Sequence, residues 1–146
     1  MFLDAIFPTP IWGFDLHLDL DSIKFWCYEE MKKDTGRILS NVGGWQSNDY
    51  CEFDQTPLKE FTNYLIKESH NMSKDLGIPE GDRHIANLWI NINPKYSYNQ
   101  VHVHPEARLS GVFYVSARKN SGDICFTRSG GYALGTVAPI STRYSS

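Results

Sequence analysis

The spacing of apolar residues changes near Ile85, and that change limits what this chain can fold into. Upstream, large apolar side chains recur every three or four residues, the period of a helix face laid on a core. Downstream they recur every second residue, the period of a strand with one face inward. Helices first and strands after indicate an α+β protein whose helices pack outside an antiparallel sheet. A chain of 146 residues is of one-domain size. We read it as an arm with helices over 1–83, a β core over 84–128 and a loop-like tail over 129–146.

The helical half has its own punctuation. Asp19 or Asp21 is placed to cap a helix carrying Ile23, Trp26, Cys27, Glu30 and Met31, which Asp34-Thr35-Gly36 stops. Thr56-Pro57 starts a second, because Thr caps and Pro is favoured in a first turn where its missing N–H costs nothing. Leu58, Phe61, Leu65, Met72 and Leu76 then mark one stripe that ends near Gly77, with His70 on the opposite, solvated side. The aromatic-rich residues 5–18 are interrupted by Pro8 and Pro10, which confines them to an edge strand or extended arm.

In the strand half, Leu88, Ile90 and Ile92 share one face, and Asn87, Trp89, Asn91 and Asn93 share the other. Pro94 ends that strand. Further strands are expected at Gln100–His104, at Leu109–Ala117 and, after a turn at Asn120-Ser121-Gly122, at Asp123–Thr127. A sheet made of these strands alone would leave an open edge, so the fold is expected to be incomplete at the C-terminus.

Charge and cysteine content exclude several roles. A net charge of -3 with no run of Lys or Arg gives no surface for a row of phosphates, so nucleic acid is not an indicated partner. Cys27, Cys51 and Cys125 are odd in number and widely spaced, which suits reduced thiols rather than a disulfide framework. No stretch has the length of a membrane span, and the start lacks the basic and apolar regions of a signal peptide. A cytoplasmic protein is expected, in the host cytoplasm if the chain is phage-encoded.

His102-Val103-His104 is the sharpest chemical signal. Residues two apart on a strand point the same way, so both imidazoles can meet one metal ion while Val101 and Val103 face away. Iron, manganese, nickel, copper or zinc would accept them, and two half-exposed histidines at a strand end would look the same in sequence. No Ser-His-Asp, Cys-His or phosphate-loop pattern competes with this one.

Around the two histidines the sequence runs from Asn87-Leu-Trp-Ile-Asn-Ile-Asn-Pro-Lys-Tyr-Ser-Tyr-Asn-Gln-Val-His-Val-His to Pro105, then Leu109-Ser-Gly-Val-Phe-Tyr-Val115 and Ser121-Gly-Asp-Ile-Cys-Phe126. With Phe7-Pro-Thr-Pro-Ile-Trp12 and Gly44-Trp45-Gln46-Ser47, this resembles the 2-oxoglutarate/Fe(II) oxygenase family common in marine bacteria and cyanophages. The resemblance implies a double-stranded β-helix (jelly roll, cupin-like) and a hydroxylase-type dioxygenase. Its iron would sit in the mouth on two histidines and a carboxylate, with positions left for 2-oxoglutarate and O2.

His102 matches the first ligand of that pattern, whereas His104 stands where the family's His-x-Asp has its carboxylate. A neutral ligand there leaves the site one unit more positive, and Glu106, two residues on, is the alternative source of charge. Tyr98 and Tyr114, with Tyr96 nearby, offer hydroxyls for the cosubstrate carboxylate, and Asn91 on the polar strand face can orient it. The family's distal His and carboxylate-binding Arg have no counterpart, since no His follows His104 and Arg143 lies outside strand context. A homo-oligomer, a partner chain or downstream sequence would then complete the site.

Two other readings remain. A non-catalytic jelly-roll remnant serving as a binding or structural module accounts for the missing ligands directly. A cupin-type metal protein shares the two-histidine strand but wants Gly and Glu where Tyr96, Arg108 and Leu109 stand. Nothing in the residues selects a substrate.

Overall fold

The computed structural model describes residues 9–127. Its first helix, α1 (Leu20–Lys33), starts where Asp19 caps it: the carboxylate accepts from the Ser22 backbone N–H at 3.0 Å and from the Ser22 hydroxyl at 2.6 Å. Those donors hold Asp19 below the usual carboxylate pKa. Ile23 and Cys27, one turn apart, are the buried residues of α1, and burial pushes the Cys27 thiol up to about 11. Lys32 and Lys33 occupy the last turn, where cations suit the helix dipole, and pair with Glu29 and Glu30.

Asp34 then turns the chain. Its carboxylate accepts from the backbone N–H of Gly36 at 2.8 Å and from the Asn48 side chain at 3.0 Å, and these contacts lower its pKa. Gly36 has φ +77, and a Cβ there would come within 2.5 Å of the Trp45 ring and 2.8 Å of the Gln46 carbonyl. Only glycine fits both the conformation and the space.

Residues 40–50 and 88–100 run antiparallel as one bent ribbon. β1 (Asn41–Val42) pairs with β4 (Tyr98–Asn99), and β2 (Trp45–Gln46) pairs with β3 (Asn91–Ile92). A further bridge joins Tyr50 to Leu88. From Gln46 to Tyr50 the chain takes one step more than from Asn91 to Leu88, so Ser47 sits in a bulge. Its hydroxyl oxygen accepts from the Ile90 backbone N–H at 2.9 Å, and its hydroxyl donates to the Asn48 carbonyl at 2.7 Å. On the opposite strand, Pro94–Ser97 forms a turn closed by Ser97 N–H donating to the Pro94 carbonyl at 3.1 Å, with Tyr96 at φ 72.

The second helix, α2 (Lys59–Asp75), begins after Thr56, whose hydroxyl oxygen accepts from the Leu58 backbone N–H at 3.2 Å. Gly77 at φ +65 follows its end. Leu58 and Phe61 meet Ile23, Cys27 and Ile90 in the core, with Leu65 packed against it, while Leu76 is exposed. The arm before α1 lies along α2: the Trp12 indole N–H donates to Asp75 at 3.0 Å, Phe14 meets Tyr64 edge-on, and Leu16 and Leu18 reach the core.

The structure departs from the sequence reading in where the strands lie. The ribbon recruits residues 40–50 from between the helices, and its strands are two residues long, too short to show a period. The strand expected at Gln100–His104 is replaced by β4, just upstream, with Gln100 N–H extending the pairing by donating to the Ser40 carbonyl at 2.7 Å. Leu109–Ala117 keeps its alternation, with Phe113 and Val115 turned inward and Val112 and Tyr114 exposed, yet joins no strand pair among the described residues. Alternation belongs to one chain, whereas a ladder needs a second backbone about 4.8 Å away; here Phe113 stacks on Phe61 of α2 at 4.4 Å. The turn at Asn120-Ser121-Gly122 is present, closed by Ser121 N–H donating to Arg118 at 3.0 Å. The tail expected over 129–146, with Arg143, lies outside the described residues.

Candidate metal centre

The strand ending in β3 supplies one wall of the site. Ile90 is buried at 8% exposure and Leu88 and Ile92 pack against the core, so Asn87, Trp89, Asn91 and Asn93 are turned the other way. After the Pro94–Ser97 turn and β4, the chain returns past this polar face. The Trp89 ring lies 5.3 Å from the His104 ring, and His104 lies 4.8 Å from His102 with the two imidazoles nearly perpendicular at 85°. Val101 and Val103 point away and are exposed.

Hydrogen bonding sets the tautomer of one histidine. His102 Nδ1 is 2.7 Å from the Gln100 carbonyl oxygen. A carbonyl only accepts, so Nδ1 carries the proton and Nε2 keeps its lone pair for a ligand. Burial against its neighbours, then the adjacent His102, lower the His104 pKa from 6.5. That shift favours the unprotonated His104 ring, the form that metals bind.

The remaining sequence-predicted residues are more dispersed. Glu106 is exposed at φ 68, in a turn where Ala107 N–H donates to the His104 carbonyl at 3.4 Å, and no third His, Cys, Asp or Glu joins the histidine pair among the described residues. Asn91 is exposed in β3 opposite Gln46, and Tyr98 is exposed in β4 opposite Val42. Tyr114 has its hydroxyl pKa raised by burial and by Asp123. Trp89 and the Gln100 carbonyl are the neighbours that sequence reading did not assign. The alternation around Ile90 already placed Trp89 on the polar face, whereas a backbone carbonyl leaves no mark in sequence.

Residues 87–143 match the model of the family described as Putative 2OG-Fe(II) oxygenase. The matched segment opens on the Trp89 strand and takes in both histidines and Tyr114. No curated protein and no solved structure matches the chain. An oxygenase family of this description uses Fe(II) and 2-oxoglutarate in general. The donor pair suits such an ion: two imidazoles at right angles on one metal, with nitrogens about 2.1 Å from it, place their ring centres roughly 4.6 Å apart, against 4.8 Å observed. Among the described residues no helix is long and apolar enough to cross a membrane.

Proposed function

We propose that this chain is a hydroxylase-type Fe(II)/2-oxoglutarate-dependent dioxygenase in which His102 and His104 hold the iron in the mouth of a double-stranded β-helix. The observation that carries this reading is the perpendicular pair of imidazoles, 4.8 Å apart, inside the segment that matches the oxygenase family model. When bound, iron and 2-oxoglutarate supply oxidative decarboxylation coupled to oxygen insertion into a C–H bond. The chain's own residues bind and orient. Gln100 fixes the His102 tautomer, Trp89 backs His104 and keeps water from one side, and Tyr98, Tyr114 and Asn91 are the nearby groups with hydroxyl or amide functions for the cosubstrate carboxylates.

The third ligand is Glu106 after a turn rearrangement, or a donor from a second polypeptide or a second copy of this chain. Succinate formation from 2-oxoglutarate, followed with Fe(II) and ascorbate, separates these. A Glu106→Gln variant that loses turnover while His102→Ala also loses it assigns the carboxylate to this chain. Turnover that survives Glu106→Gln and rises with protein concentration assigns the ligand to an assembly. The second reading, a non-catalytic binding module, is favoured by the absence of a third donor beside the exposed histidines among the described residues, and succinate formation indistinguishable from the His102→Ala level supports it.

A further inference from the structure

We propose that the outer face of α1 is an interface between two copies of this chain, packed antiparallel about a two-fold axis. The proposal does not rest on the metal centre. Ile23 and Cys27 turn one side of α1 into the core. On the far side Asp21, Phe25, Tyr28 and Lys32 follow one another at steps of four, three and four residues, the spacing of a seam between two helices. All four are exposed, Phe25 at 68% and Tyr28 at 43%. The two rings are neighbours on the helix surface and form one apolar patch with a charge at either end.

The order of charges along this face selects a second copy as the occupant. Asp21 lies in the first turn of α1 and Lys32 in the last. The midpoint of Leu20–Lys33 falls between Trp26 and Cys27; Asp21 and Lys32 are equally far from it, and so are Phe25 and Tyr28. A two-fold axis at that midpoint therefore brings Asp21 of each copy level with Lys32 of the other and seats each Phe25 beside a Tyr28. Two carboxylate–ammonium pairs then close the ends of a cluster of four rings, and the two helix dipoles run in opposite directions. A parallel pair would instead set Asp21 against Asp21 and Lys32 against Lys32. Lys32 already meets Glu29 within the helix and is 67% exposed. Its ammonium carries three donors, so it can take a second carboxylate without releasing the first. Lys24 and Glu29 stand on opposite flanks of the seam, where a polar rim keeps their charges in water.

The test is sedimentation equilibrium of the full chain at low salt, over concentrations from about 10 μM to about 1 mM. A contact confined to one helix face is smaller than the roughly 1,200 Å2 at which interfaces become stable, so a dissociation constant on the order of 100 μM is expected, with the average mass climbing from one chain toward two. Asp21→Lys and Lys32→Asp each set like charges across the seam, and each should weaken association about tenfold. Combined in one chain they exchange the two charges and restore both pairs, which should return the affinity to within about threefold of the parent. A parent chain that stays monomeric across the range, association that the single reversals leave unchanged, or a double variant no better than the singles would overturn the proposal, and the first of these results involves no variant.

Discussion

Replacing Ser47 by Ala should loosen the strand that carries Trp89, far more than deleting one hydroxyl on the surface would. Ser47 is fully buried, and its oxygen takes the place of a backbone carbonyl at the bulge by accepting from Ile90 N–H at 2.9 Å. The same hydroxyl donates to Asn48 at 2.7 Å. Alanine leaves the Ile90 N–H buried without an acceptor, a cost of about 1 to 3 kcal/mol, and removes the bond to Asn48 for roughly 1 kcal/mol more. Taking about 3 kcal/mol in total and a urea slope near 1.5 kcal/mol/M for a domain of this size, the unfolding midpoint should fall by about 2 M. The companion signal is local: the Ile90 amide should exchange with solvent much faster under native conditions. A midpoint within about 0.3 M of the parent, with unchanged Ile90 exchange, would refute the account of how the bulge is held.

Three further outcomes are expected. Gly36→Ala should cost about 2 to 4 kcal/mol in urea unfolding, because a Cβ at φ +77 is strained and meets the Trp45 ring; a loss under 1 kcal/mol would contradict it. Phe61→Ala should cost about 3 to 5 kcal/mol, since Phe61 is 6% exposed and stacked on Phe113, and Phe113→Ala, at a half-buried position, should cost less. His104 should titrate by NMR below 6.5, the ordinary value for a histidine. The unfolded chain then binds more protons in that window, so the contribution to stability is complete above 6.5 and declines as pH falls. A midpoint at or above 6.5 in the folded protein would contradict the burial assigned to this ring.

The parts of the fold that were legible in sequence are those set by one residue and its near neighbours. Asp19 caps α1 through its own side chain, Thr56 and Gly77 bracket α2, and the alternation from Asn87 to Asn93 places Ile90 in the core and Trp89 across from it. What was not legible depends on partners distant in the chain. The pairing of 40–50 with 88–100 rests on the bulge at Ser47, on Gly36 and Gly44, where a Cβ would run into Trp45 and Asn93, and on Asp34 and Asn41, whose side chains bond the Gly36 N–H and the Gly44 carbonyl, none of which forms a repeating pattern. The site divides in the same way. The two histidines were visible through their spacing, while the Gln100 carbonyl beside His102 and the Trp89 ring beside His104 are products of tertiary placement.

The central claim is that His102 and His104 together hold Fe(II) in a form that takes 2-oxoglutarate. The direct test is an anaerobic titration of the full chain with Fe(II) and 2-oxoglutarate, watched for the visible charge-transfer absorption of the chelated cosubstrate, with His102→Ala and His104→Ala run beside it. The account predicts a saturable band that is lost in both variants. No band in the parent chain, or a band that persists when either histidine is removed, would contradict it.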